Sequence, residues 1–365
     1  MLQSEKYNKR IATDPRKYVV ARAGQFAFDP MSLYYGAIGR VDVESGLISP
    51  DYVVFDADCT VDSEFLTYFL RAPQQVRKYE SVAETGNQFG KRRRVYWSVF
   101  EQLSFVLPPL SEQRRIAAIL SAVDAVIEKT EAMIKIVQAL KRAMMQELLT
   151  RGVPGRRHMG FKETEIGELP EGWVVVSLGD SATFENGRAF KPEDWSVDGL
   201  PIIRIQNLNG GKDYNYFNGK VEPRYRVAAG DLLFSWSGTR GTSFGPHVWS
   251  GPDGVLNQHI FNVRNFRGVT KAFMLHVLKF VTASIEKRAH GGTGIVHITK
   301  GELESTRFGC PGLDEQESIS DALDSIDLRL VTERNTRAAL NRVKSNLVSA
   351  LLTGELRVTP HEDTA

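Results

Sequence analysis

The stretch from Phe105 to Thr150 returns without a gap at Phe308 to Thr353, 203 positions later. Pro108, Leu110, Glu112, Gln113, Ile116, Leu120, Asp124, Lys141, Leu148, Leu149 and Thr150 meet Pro311, Leu313, Glu315, Gln316, Ile319, Leu323, Asp327, Lys344, Leu351, Leu352 and Thr353. A chain that repeats such a unit once, at long spacing, folds as two pseudo-symmetric halves, and symmetric proteins tend to meet symmetric or bipartite targets. The repeat reaches back into less helical sequence. Phe65, Leu70, Thr85 and Gly86 meet Phe273, Leu278, Thr293 and Gly294 at a spacing of 208, and Gly24 and Phe28 meet Gly230 and Phe234 at 206. The drift marks small insertions in loops. One of them, between Gly86 and Phe105, holds Lys91, Arg92, Arg93 and Arg94. At the front the match runs out: about fifty residues from Trp173 precede Tyr225, whereas seventeen precede Tyr18. The first unit therefore lacks a leading portion, through a misplaced start, a truncated gene or a separate chain that supplies it.

From Ser111 the pattern is that of one long helix. Ser111 serves as N-cap, Pro108 and Pro109 stop anything helical before it, and Glu112 favours a helix start. Ile116, Ile119, Val123, Val126, Thr130, Met133, Val137, Leu140 and Met144 recur by threes and fours, thickened by Leu120, Ile127, Ile134 and Leu148. Gly152 and Pro154 end the run. About 40 residues at 1.5 Å each give a rod of roughly 60 Å. The second copy starts at Asp314 as cap and runs to Thr353, with a seam of Ile319, Leu323, Ile326, Leu330, Leu340, Leu347 and Leu351. Neither stripe is buried by its own helix. Either the two helices pack on each other, and then antiparallel pairing holds the two bodies at opposite ends, or each packs on its neighbouring domain.

Trp173 to Val176, Ile202 to Ile205, Asp231 to Trp236 and His259 to Val263 read as short strands split by Gly, Pro and Asn. Phe273 to Lys287 reads as a helix, and its match in the first half runs from Phe65 to Tyr79. Each body is thus α+β. The expected order is a first body over 1–110, a long helix over 111–152, a second body over 153–313, a second long helix over 314–353 and a tail over 354–365. Arg151 to Gly172, rich in Gly, Pro and charge, reads as a boundary linker.

Composition removes several classes of function. Hydrophobic content of 42% with 25% charge is globular, and a net charge of +2 excludes a polycation that coats nucleic acid. No apolar run approaches the roughly 20 residues that span a bilayer, and MLQSEKYNKR lacks a signal-peptide core, which points to a cytoplasmic protein. The two cysteines, Cys59 and Cys310, match no disulfide or zinc spacing and read as buried thiols in a reducing compartment. Asp29-Pro30-Met31 does not supply the Asn/Asp-Pro-Pro-aromatic motif of an adenine methyltransferase, and no Walker loop, His-Glu-x-x-His or Cys-x-x-Cys is present. Glu315-Gln316-Glu317 reads as helix-start electrostatics, not a nuclease centre. Catalysis, a bound metal and a cofactor are not expected.

The order of these features resembles the specificity subunit of type I restriction-modification enzymes. The resemblance rests on Leu169-Pro-Glu-Gly-Trp173 opening the second body, Gly230-Asp-Leu-Leu-Phe234 within it, and the Thr293-Gly294 loop followed by Ile298. It rests also on Pro108-Pro-Leu-Ser-Glu-Gln113 and Pro311-Gly-Leu-Asp-Glu-Gln316, each leading into a long helix. It covers nearly the whole chain and implies two target recognition domains. Each reads half of a bipartite site in double-stranded DNA, and two long antiparallel coiled-coil helices serve as spacer and docking surface. It further implies methyltransferase (modification) subunits and a restriction/translocase subunit as partners, with no catalytic residue in this chain. A coiled-coil scaffold that binds proteins without reading DNA is the competing reading.

Specific DNA binding needs phosphate contacts for position and base-edge contacts for sequence. Lys91, Arg92, Arg93 and Arg94, adjacent cations at the inserted loop, are the phosphate candidates. In the second body Ser237, Thr239 and Arg240 follow a strand among glycines that permit close backbone approach, and Arg240 suits a guanine edge. Asn257, Gln258 and His259 suit adenine or phosphate; Arg204, Gln206 and Asn207 form a further polar cluster, and Thr293 sits in a Gly-rich loop. Each of these is also an ordinary loop residue until placed. Trp173, Trp195 and Trp236 read as packing residues.

Overall fold

A computed structural model describes residues 18–85, 93–155, 160–288 and 295–358. The chain opens with β1 (Val19–Arg22), β2 (Phe26–Phe28), β3 (Ile38–Arg40), β4 (Ser45–Ile48) and β5 (Val53–Phe55). Helices α1 (Ser63–Leu70) and α2 (Pro73–Val82), strands β6 (Glu84–Thr85) and β7 (Arg93–Arg94), the turn α3 (Trp97–Phe100) and the long helix α4 (Leu110–Thr150) follow. Then come β8 (Phe161–Thr164), β9 (Gly167–Pro170), β10 (Val174–Ser177), α5 (Leu178–Ser181), β11 (Thr183–Asn186), β12 (Leu200–Ile203), α6 (Ile205–Leu208), β13 (Asn215–Phe217) and β14 (Arg226–Val227). The last run is β15 (Leu232–Ser235), β16 (Ser237–Thr239), β17 (Gly245–Val248), β18 (Gly254–Leu256), β19 (Ile260–Arg264), α7 (Lys271–Arg288), β20 (Ile295–His297), α8 (Lys300–Glu304), β21 (Arg307–Cys310) and α9 (Leu313–Thr353). The chain divides into two compact units: unit 1 is Met1–Met133 with Glu333–Ala365, and unit 2 is Ile134–Thr332. No helix among the described residues is long and apolar enough to cross a membrane.

Unit 1 is built on the sheet β3-β2-β5, with β1 and β4 as a separate ribbon. Phe26, Phe28, Phe65, Phe69, Tyr79 and Phe100 form its core, joined by Ile116 and Leu120 of α4 and by Leu351 and Leu352 of α9. Unit 2 has two four-stranded sheets, β11-β19-β15-β17 and β13-β12-β18-β14. Its largest core gathers Trp173, Phe184, Phe234, Phe261 and Phe273 with Leu148 and Leu149 of α4 and Ile319 and Leu323 of α9.

The repeated Gln holds each long helix to its unit. Gln113 accepts from the Asp62 amide at 2.9 Å and donates to the Pro108 carbonyl at 2.9 Å. Gln316 accepts from the Thr270 amide at 2.8 Å and donates to the Pro311 carbonyl at 3.0 Å. Both are buried, at 2% and 0% exposure, so their bonds are shielded from competing water. The neighbouring glutamates are buried too and do more than favour a helix start, which corrects the simpler reading of Glu112 and Glu315. Glu315 accepts from Trp173 Nε1 at 3.2 Å, whereas Glu112 accepts from Arg357 at 2.7 and 2.8 Å.

Several sequence expectations shift. The long helices start one residue before the expected caps Ser111 and Asp314, at Leu110 and Leu313. The Pro109 carbonyl takes the amides of Glu112 and Gln113, and that of Gly312 takes those of Glu315 and Gln316, so the backbone at 109 and 312 does the capping. The expected helix Phe65 to Tyr79 is broken into α1 and α2, because Pro73 fits a first turn but not a helix interior. The buried stripe of α4 is Ile116, Leu120, Ile127, Thr130, Ile134, Val137 and Leu148; Val126, Met133 and Leu140 of the expected seam stay 40–49% exposed. Val126 and Met133 each precede a buried isoleucine, Ile127 and Ile134, which stands about 100° further round the helix. The linker Arg151 to Gly172 contains the hairpin β8–β9, and Cys59 is exposed while Cys310 is buried. The four expected strands of the second body appear as β10, β12, β15 and β19, with ends moved by a residue or two.

Candidate nucleic-acid interface

In unit 2 the strand registers bring the polar segments to one edge. Ile203 at the end of β12 lies beside Leu256 at the end of β18, in a parallel pair. The chain then turns through Asn257, Gln258 and His259 into β19, whose first residue, Ile260, faces Ser235 at the end of β15. On the other side of β19, Asn186 at the end of β11 faces Phe261. Arg204 to Asn207, Trp236 to Arg240, Asn257 to His259 and Asn186 to Arg188 therefore leave neighbouring strands together. Gly187 makes this convergence possible, since a Cβ there would stand 2.2 Å from the Asn257 carbonyl oxygen.

The β16 turn is a preformed projection. The Thr239 carbonyl accepts the amides of Thr242, Ser243 and Phe244, and Ser243 Oγ accepts the Thr239 amide at 2.8 Å. Thr239 and Arg240 are exposed at its tip, and Ser237 is half-buried. The Gly241 amide donates to Glu286 Oε1 at 3.2 Å, which fixes the turn against α7. His247 Nε2 lies 3.0 Å from the Ser243 carbonyl behind it. Burial pushes the His247 pKa down, so the ring is neutral at pH 7 and adds no charge to this edge.

Trp236 braces the Asn257 turn. Its Nε1 donates to Asn186 Oδ1 and to the Gln258 carbonyl, both at 3.0 Å, and its ring lies 5.1 Å from that of His259. The Asn257 amide donates to the Ile203 carbonyl at 3.0 Å, which ties the turn to β12. Gln258 is exposed, Asn257 and His259 are half-buried. His259 Nδ1 is buried without a partner among the described residues. Arg204 stacks 4.8 Å over the partly exposed Trp195 and donates to Asn215. Gln206 is exposed. Asn207 is 4% exposed and spends both its donor hydrogens on the Gly211 and Asp213 carbonyls, so it shapes the loop instead of projecting from it. Thr293 lies outside the described residues.

In unit 1, Lys91 and Arg92 also lie outside the described residues. Arg93 and Arg94 form β7, paired with β6. Arg93 donates to the Glu80 carbonyl and sits 5.6 Å over Tyr34, so part of its reach is committed within the unit. The sequence pattern gave no sign of Asn186 and Arg188, and it marked Trp195 as a packing residue only. Arg188 stacks 4.7 Å from Phe217 and pairs with Asp194 at 3.0 Å, and only the fold brings it beside Asn257.

One group of metal-binding type occurs among the described residues, His276 with Asp324 and Asp327. Asp327 is engaged by Lys141 and by Lys279 at 2.7 Å. Burial raises its pKa, but those two lysines outweigh it and hold the carboxyl below the usual range. Two ammonium groups on one carboxylate make Asp327 the centre of an ion-pair network, and the His276 ring is hydrogen-bonded beside it to Asp324 at 2.8 Å.

The model of the type I restriction modification DNA specificity domain matches residues 34–138 and 170–342, more than half of the chain. A putative type I restriction enzyme specificity subunit of Methanocaldococcus jannaschii, MjaX, is 29% identical over 82% of this chain and 69% of its own length. A solved chain from work on complex assembly and conformational transition of the type I R-M system superposes with a TM-score of 0.60 at 19% identity, over 92% of this chain and 83% of that one. The type I restriction-modification S subunit of M. genitalium does so with 0.55 at 15% identity, over 91% and 83%. At these identities the two structures show a shared fold.

Proposed function

This chain belongs to the type I restriction-modification DNA specificity family, and from that premise we propose that it reads a bipartite site in double-stranded DNA. Its role is DNA sequence specificity in a restriction-modification complex. It is non-catalytic, and its partners are methyltransferase subunits and a restriction/translocase subunit. The observation that carries the reading is the convergence of Arg204, Gln206, Trp236 to Arg240 and Asn257 to His259 at one edge of unit 2. Exposed donors on braced turns are what base-edge readout requires, and phosphate contacts fix the register.

The long helices form an antiparallel coiled coil that acts as spacer and docking surface. In unit 1 the end of α9 meets the start of α4, with Lys344 on Asp124 and Leu351 beside Leu120. In unit 2 the roles are exchanged and the end of α4 meets the start of α9, with Lys141 on Asp327 and Leu148 beside Ile319. Ile136, Leu140, Leu328 and Val331 stay 49–68% exposed around the Lys141 pair, an apolar surface that suits a partner subunit. The body over 1–110 reads one half-site and the body over 153–313 the other, with 111–152 and 314–353 between them.

The test is a mobility assay with partner subunits present. Arg240→Ala should relax one base position by roughly 1–3 kcal/mol, while alanine at Lys91, Arg92, Arg93 and Arg94 should weaken all sequences and flatten the salt dependence. Absence of salt-dependent DNA retention would favour a protein-binding scaffold. Insertion of a whole heptad into both helices should lengthen the unread spacer in methylation sequencing.

A further inference from the structure

Each unit carries one turn at the same place in its sheet. In unit 1 it joins β2 to β3, with Phe28 opposite Ile38; in unit 2 it joins β15 to β17 through β16, with Phe234 opposite Pro246. The backbone bonds agree. The Ser32 carbonyl accepts the amides three and five residues on, Tyr35 and Ala37, as the Thr239 carbonyl accepts those of Thr242 and Phe244. The Val95 amide donates to the Pro30 carbonyl at 2.9 Å, as the Ile298 amide donates to that of Trp236 at 3.0 Å. The loop over 29–37 is therefore the counterpart of the projection that carries Thr239 and Arg240 in unit 2.

It is as firmly built and differently tipped. Asp29 accepts from the Met31 amide at 2.9 Å and from Ser32 Oγ at 2.6 Å. Gly36, at φ +85°, lies so near α2 that a Cβ there would stand 3.1 Å from Val76. Gly245, at φ +109°, would meet Thr282 of α7 at 3.2 Å in the same way. Tyr35 stands at the place of Thr242, the neighbour of the Arg240 tip, and is 76% exposed. Its ring centroid lies 4.2 Å from that of the half-buried Tyr34, and Arg93 sits 5.6 Å over Tyr34. Because Val95 directly follows Arg93 and Arg94 of β7, its bond to Pro30 sets both arginines beside the turn. An exposed phenol and two cations thus meet on one braced projection.

We propose that Tyr35 is a base-reading side chain of unit 1 and that it contacts a thymine in the major groove of its half-site. The proposal rests on the DNA reading given above and names the chemistry of that half. Thymine presents its methyl group beside the O4 acceptor. The ring covers the methyl, and the hydroxyl donates to O4. Guanine, with two acceptors and no methyl, suits the arginine of unit 2 instead. A tyrosine has two side-chain torsions, and a turn held by Asp29 leaves its backbone little freedom to lose on contact. The arginines of β7 supply phosphate contacts that fix the approach of the turn. One turn therefore serves both halves with different chemistry.

The test uses the full chain with its methyltransferase partner subunits and a randomised duplex library, from which retained sequences are read. The unaltered chain should retain two fixed half-sites. Tyr35→Ala should relax one A·T position of one half-site by about tenfold and leave the other half-site unchanged. Tyr35→Phe keeps the ring and should lose only part of that preference. In the retained duplex, deoxyuridine in place of that thymine removes the methyl group alone. It should weaken the unaltered chain about fourfold, the worth of one buried methyl, and leave the alanine variant unaffected. Hydrogen exchange at the Val95 amide, which bonds to the turn, should stay slow in both variants. An alanine variant with unchanged preferences would overturn the proposal, and so would uniform weakening of every sequence, which assigns Tyr35 to phosphate. A relaxed position that proves to be G·C would overturn it as well. Retention of no sequence by the unaltered chain would instead bring down the DNA reading, and this proposal with it.

Discussion

At the starts of α4 and α9 the same two residues, Glu then Gln, are treated differently by their surroundings. The glutamines do one job twice: Gln113 and Gln316 each bridge a helix-capping amide to a proline carbonyl. The glutamates share one bond and differ in the other: Glu315 and Glu112 each accept a backbone amide at 3.2 Å, from Val153 and Val358, but Glu315 also holds a tryptophan and Glu112 an arginine. A side chain that satisfies buried backbone groups has no freedom to change partner, because the orphaned amide would lose its only bond. A carboxylate facing a neighbouring segment can exchange one donor for another. What persists between the halves is thus backbone satisfaction, and what diverges is the segment packed against it.

The largest effect should fall on the invariant part of this comparison. Gln316→Ala strands the Thr270 amide and leaves the Pro311 and Gly268 carbonyls only the weak Cys310 thiol donor, in a site that is 0% exposed. A loss of roughly 3 kcal/mol is expected from the unmet buried groups. Gln113→Ala strands one amide and one carbonyl and should cost less. Denaturant unfolding followed by hydrogen exchange in each unit measures both; equal losses would break the ranking.

A middle-sized effect separates the ion pairs of the two halves. Asp124 accepts from Lys344 and from Tyr68 at 2.8 Å, while Asp327 accepts from two lysines, Lys141 and Lys279. Burial pushes the Tyr68 pKa up to about 12, so it remains a neutral donor. Lys344→Met therefore leaves a half-buried carboxylate with no cation, and about 1–2 kcal/mol should be lost. Lys141→Met leaves Lys279 in place and should cost under about 1 kcal/mol. A Lys141→Met variant that loses more than Lys344→Met would show that the seam, not the charge count, governs these positions.

The architecture was legible because a gapless repeat carries its own register, and Gln113 was visibly matched to Gln316. Its role was not legible: the amides it serves lie 51 and 46 residues away in sequence, so no local pattern points to them. The same distance effect divides the interface. Arg204, Arg240 and Gln258 stood out as polar residues at strand ends, and the fold brings them to one edge. Arg188 and Asn186 escaped notice because their meeting with Asn257 and Trp236 is made by strand pairing across some fifty or more residues. Asn207 had the composition of a reader, and burial turned it into a loop brace. The α4 stripe was legible but drawn too wide, since its apolar residues fill two adjacent rows and packing buries Ile116, Thr130 and Val137 of one with Leu120, Ile127, Ile134 and Leu148 of the other.

The smallest effect tests the pair Tyr68 and His276, which the 208-residue spacing places at matching positions of α1 and α7. Each bonds an acidic residue of a long helix, Asp124 and Asp324 respectively, at 2.8 Å. Burial pushes the His276 pKa down, with Lys279 adding to this and Asp324 opposing it, so the folded ring resists protonation more than the unfolded one. Below the ordinary value of 6.5 the unfolded chain binds the extra proton, and stability falls as pH drops until the folded pKa is passed. The slope from one such group cannot exceed about 1.4 kcal/mol per pH unit. Unit 2 should therefore lose protection against hydrogen exchange as pH falls from 7 toward 5, and His276→Phe should remove this share of the loss. Unit 1, with a tyrosine that does not titrate in that range, should show no matching change from Tyr68→Phe. A His276→Phe variant with the full acid slope would place the titration elsewhere and leave the two positions equivalent.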